Sequence, residues 1–72
     1  MNAQQLWVDA LIERFEERAN AVKKSGMPPL EGEMRRQWIK QKEYDYMDYA
    51  MLGDATGILE DGILRLRIDL ND

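Results

Sequence analysis

The amino-acid sequence predicts a mostly helical α+β fold: an antiparallel helical hairpin followed by a short C-terminal β-hairpin, all in one domain. Three observations carry this expectation. Apolar residues recur at helical spacing between residues 8 and 22. The Met27-Pro28-Pro29 break separates that stretch from a second long segment rich in aromatic and apolar residues. Strict alternation of apolar and charged residues over positions 64–70 then follows an Asp61-Gly62 dipeptide.

The first helix is expected over about residues 2–25. Val8, Ile12, Phe15, Ala19 and Val22 are spaced 4-3-4-3, and Leu11 lies beside them. At 100° per residue these six cover an arc of roughly 100°, the width of a core-facing stripe. Asp9, Glu13, Glu16, Glu17 and Asn20 fall outside it. Asn2 followed by Gln5 fits a capping box, while Lys23 and Lys24 ahead of Gly26 suit the carbonyl end.

Residues 26–30 form the connector. Pro28 and Pro29 lack amide donors and push the residues before them out of helical geometry, and a link of this length suits an antiparallel helical pair. The second helix is expected over about residues 31–52, with Glu31 and Glu33 at its start and Gly53 at its stop. Its first half holds a partial apolar stripe of Met34, Trp38 and Ile39. From residue 44 to 52 it is apolar nearly all round, with Asp45 and Asp48 in a narrow polar sector. A helix of that kind ordinarily has neighbours on every side.

The β-hairpin is expected over about residues 55–70. A two-residue Asp61-Gly62 turn sets Leu59 opposite Leu64 and Gly57 opposite Leu66. Leu64, Leu66, Ile68 and Leu70 would form the buried side of the second strand. The first strand reads as the weaker arm because Gly57 lies inside it. Two strands alone are marginal in water, so the hairpin must lie on the helices or join further strands.

A chain of 72 residues sits near the lower limit for one self-sufficient core. Such chains usually draw on disulfides, a metal, association or very regular packing. There is no cysteine and no histidine, which removes disulfides, thiolate chemistry, the commonest metal ligand and the usual neutral-pH base. Ser25 and Thr56, the single serine and threonine, both lie near glycines in turn-like segments. No catalytic residue, cofactor or metal is therefore expected, and the chain is not expected to be an enzyme. A formal charge of −4 with mixed signs favours a solvated surface over a nucleic-acid-binding one. The sequence opens without a basic leader and contains no apolar run of membrane-spanning length, so the expectation is a cytoplasmic protein with no membrane partner.

Three clusters invite a functional reading. Glu43, Asp45, Asp48, Asp54, Glu60 and Asp61 could bind a hard cation, but residues 53–57 lack the regular acidic positions of a calcium loop. A solvated acidic face is the simpler account. Arg35, Arg36, Lys40 and Lys42 around Trp38 could touch phosphates, yet four cations make a small footprint on an acidic chain. Tyr44, Tyr46 and Tyr49 suit a core with wet hydroxyls or a protein interface.

Charge order in the second helix singles out that element. Residues 34–42 carry four cations and no acid, and residues 43–61 carry six acids and no cation. This opposes the helix macrodipole. Antiparallel packing of two such helices about a two-fold axis would set basic halves against acidic ones, as an isologous dimer requires. The expected function is thus a small acidic protein-binding module, an accessory subunit, adaptor or regulator. Its partner would be another protein, a second copy of itself as a homodimer, or both. The expected interface residues are Arg36, Trp38, Lys40, Asp45, Tyr46, Met47, Asp48, Tyr49 and Met51. Strand addition along residues 64–70 offers a second docking route. Two alternatives are an acidic inhibitor that imitates nucleic acid and a non-catalytic small subunit of a multisubunit enzyme.

Overall fold

The apolar stripe of the first helix decides how the chain folds back. In the computed structural model, which describes residues 3–71, the chain forms α1 (Ala3–Lys24), α2 (Gly32–Gly53), β1 (Thr56–Glu60) and β2 (Ile63–Arg67). Along α1, Val8 and Ala19 are buried and Leu11, Ile12, Phe15 and Val22 are half-buried, so all six stripe residues turn inward. The expected Asn2 cap lies outside the described residues. Gln5 donates from Nε2 to Asp9 Oδ1 at 2.9 Å and to the Gly57 carbonyl at 3.1 Å, which ties α1 to β1.

Lys23 and Lys24 occupy the last turn of α1, where cations complement the exposed carbonyls. Ser25 returns its amide (3.2 Å) and its hydroxyl (2.7 Å) to the Val22 carbonyl. In the connector the Leu30 amide donates to the Pro28 carbonyl at 2.8 Å. α2 then runs back along α1: Lys42 reaches Ser25, and Gly53 arrives beside Glu16. A Cβ on Gly53 would lie 2.9 Å from the Glu16 Cα and 3.0 Å from its amide nitrogen, so the helices touch there backbone to backbone. Higher in the pair, the Phe15 and Tyr49 rings stack with centroids 6.3 Å apart.

Because α2 ends opposite Glu16, the first turns of α1 need a different cover, and the β-hairpin supplies it. Leu59 pairs with Leu64 and Gly57 with Leu66, the register expected from the turn. Asp61 and Gly62 take φ of 52° and 74°, the positive pair of a two-residue turn whose twist matches the strands. Gly57 is buried against α1: a Cβ there would collide with Val8 Cγ1 and stand 3.1 Å from Leu66 Cδ2 and 3.3 Å from Ile12 Cδ1. Its missing side chain lets β1 lie on α1 and leaves Val8 0% exposed.

β2 is shorter than expected and stops at Arg67. Its partner strand begins only at Thr56, since Asp54 and Ala55 still donate their amides to carbonyls at the end of α2. No ladder residue remains to pair with Ile68. The expected buried side of β2 is corrected as well: Leu64 and Leu66 are each 37% exposed, and Leu70 lies beyond the sheet, 77% exposed.

α1 packs against both α2 and β1, whereas α2 and the strands do not pack on one another. The result is a rod of 50 × 24 × 22 Å with a radius of gyration of 15.7 Å. A compact chain of this length would have a radius of about 11 Å. No helix among the described residues is long and apolar enough to cross a membrane.

Candidate docking surface

α2 presents two unlike sides. Trp38, Lys42, Asp45, Tyr49 and Leu52, spaced 4-3-4-3, form the half-buried side toward α1. Two of these five are charged, and both are used inside the molecule. Lys42 Nζ donates to the Ser25 carbonyl at 2.7 Å and lies 5.3 Å from the centre of the Trp38 ring, so α2 lends α1 a C-terminal cation. Asp45 Oδ1 accepts a bond from Gln41 Nε2 at 2.9 Å. A shallow groove of about 500 Å³ opens here, lined by Val22, Gly26, Trp38 and Asp45 among others.

The opposite side of α2 carries Arg36, Lys40, Tyr44, Met47 and Met51 at helical spacing. Tyr44 is 48% exposed and Met47 56% exposed, while Met51 is half-buried. Lys40 Nζ sits 5.8 Å from the centre of the Tyr44 ring, one turn along this stripe. Tyr46 and Ile39 flank it, each a little over one third exposed. α2 contains no fully buried residue at all. The neighbours expected on every side of residues 44–52 are thus present within the chain on one side only.

The nine interface candidates do not share one surface. Trp38, Asp45 and Tyr49 belong to the packing with α1. Arg36, Lys40, Met47 and Met51 share the outward stripe, with Tyr46 on one flank and Asp48 on the other. The basic group around Trp38 is likewise divided: Lys42 turns inward, and Arg36 Nη2 pairs with Glu33 Oε2 at 2.7 Å on its own helix.

That contact is the one ion pair among the described residues, in a sequence with 24 charged side chains. The reversed charge order of α2 has little intramolecular answer: the last turn holds no cation, and Glu43 and Asp48 are exposed and form no ion pair among the described residues. Among the described residues no three acidic side chains converge to hold a metal ion. The six acids of residues 43–61 are also scattered, from the α1 side at Asp45 to the hairpin tip at Asp61. Ser25 spends its hydroxyl on the end of α1, and Thr56 opens β1 on its exposed side.

Sequence reasoning missed two residues of consequence. Lys42 was placed in a solvated basic group although it shares the 4-3-4-3 series of Trp38, Asp45 and Tyr49, a spacing visible once polarity is ignored. Asp54, the C-terminal cap residue of α2, follows Met51 by three positions and shares a groove with Glu16, Ala19 and Asn20 of α1. No family model matches this chain, and neither a curated protein nor a solved structure matches it, so function must be argued from this surface.

Proposed function

We propose that the chain is a protein-docking module, an accessory or regulatory subunit that works by covering a partner's surface and performs no chemistry of its own. The uncovered outward side of α2 carries this reading. Tyrosine and methionine are enriched in protein interfaces, supplying contact area at modest entropic cost and adaptable packing. Charges at both ends of the stripe would orient the partner and speed encounter. The accessible surface supports the same reading: it is 6042 Å², against about 4,650 Å² for a compact chain of 8.5 kDa. The excess of roughly 1,400 Å² exceeds the ~800 Å² that each partner contributes to a standard interface. The scattered acids give little support to imitation of nucleic acid, which calls for a regular row of them.

Site-specific photo-crosslinking tests the proposal. A photoreactive residue replacing Met47 should capture a polypeptide in cells that make the protein. One replacing Glu17, on the solvent side of α1, should capture far less. Equal yields at both sites, or none at Met47, would overturn it. Survival of the captured complex through high salt separates a permanent subunit from a transient regulator.

A further inference from the structure

We infer that the occupant of this surface is a second copy of the same chain, bound antiparallel along α2 about a two-fold axis near residues 45 and 46. The inference rests on the docking reading and names the partner. Its ground is self-complementarity. In an isologous contact each residue meets the symmetry mate's surface, so a stripe can satisfy itself only if its two halves differ in what they offer. The outward stripe of α2 runs from cations into an apolar segment, Arg36, Lys40, Tyr44, Met47 and Met51, with Asp48 exposed on its flank and Asp54 at its end beside α1.

Centring the axis between residues 45 and 46 sets Tyr44 against Met47 twice, in the middle of the contact. Lys40 then lies over Met51, with its stem on the thioether and its ammonium within reach of Asp48. Arg36 arrives beside Asp54 on the same flank. A parallel arrangement would stack cation on cation and acid on acid, which charge repulsion opposes. The contact also covers the two most exposed large apolar side chains in the acidic half of α2, Tyr44 and Met47. It answers the charge order that the single chain leaves unanswered, because each reversed helix end would face its opposite.

The test uses two full-length charge-reversed chains, one with Arg36→Glu and Lys40→Glu, the other with Asp48→Lys and Asp54→Lys. All four side chains are exposed, so neither reversal should unfold the monomer; circular dichroism checks this. In sedimentation analysis of the purified protein at micromolar concentration, the unmodified chain should run at twice its 8.5 kDa mass. Each reversed chain alone should run as a monomer, and an equimolar mixture of the two should regain the doubled mass. A monomeric unmodified chain, or reversed chains that dimerise alone as well as it does, would overturn the inference. If the unmodified chain is monomeric while Met47 still crosslinks to a different protein, the docking reading stands and only the choice of occupant falls.

Discussion

A methyl group at position 57 would occupy the space of Val8 Cγ1. Gly57→Ala should therefore destabilise the fold by about 1–3 kcal/mol, the usual range for overpacking a well-filled site. Removing the opposing methyls should relieve the collision. In urea unfolding, the double variant Val8→Ala with Gly57→Ala should lose clearly less stability than the sum of the two single losses. Additive losses would mean that β1 does not lie where it is placed here. The role of Gly57 could not be read from the sequence. A glycine in a strand marks a weak point or a close approach with equal force, and only the tertiary partner decides between them. Lys42 was hidden for a related reason: hydropathy assigns lysine to water, whereas its ammonium lies over the Trp38 ring and holds the end of α1.

Among the elements, α1 and the hairpin register were legible because each pattern has a direction. The α1 stripe points one way, and an Asp-Gly turn fixes which residues meet across the strands. α2 was legible as a helix but not in its orientation. Apolar residues on all sides give the period no phase, and its inward side contains a lysine and an aspartate. This is also why the candidate interface mixed residues from both sides of that helix. The position of the hairpin makes a testable statement about α1. Residues 54–71 contain no helix, so a chain ending at Gly53 should keep the full helical signal if α1 is self-sufficient. We expect it to lose signal instead, because Val8 and Ile12 would be left facing water and short helices without tertiary cover are marginal. Unchanged helical circular dichroism per molecule would show that β1 is not needed to hold the first turns of α1.

At the scale of the whole molecule, length is the informative property. The rod measures 50 Å along its axis, and the proposed two-fold axis lies off its midpoint. At 1.5 Å per helical residue, the start of α2 stands roughly 20 Å from that axis and the hairpin tip roughly 30 Å away on the other side. The antiparallel dimer is then only about 60 Å long, with each hairpin projecting past the other chain's connector. Small-angle scattering should give a maximum dimension near that value for the unmodified protein. An end-to-end pairing through the free edge of β2 would instead approach ~100 Å.

The division of labour along α1 also bears on how the chain comes to be folded. Its later turns meet α2, made soon afterwards, but its first turns meet β1, whose Gly57 follows Val8 by 49 positions in a chain of 72. Contacts between such distant segments form late, because the loop between them must first be closed. The helical pair can therefore assemble first, while the beginning of α1 stays bare until β1 docks on it. The first turns of α1 are thus the last part of that helix to be covered, and a chain whose hairpin has not yet docked would display Val8 and Ile12 to whatever chaperone or protease was near.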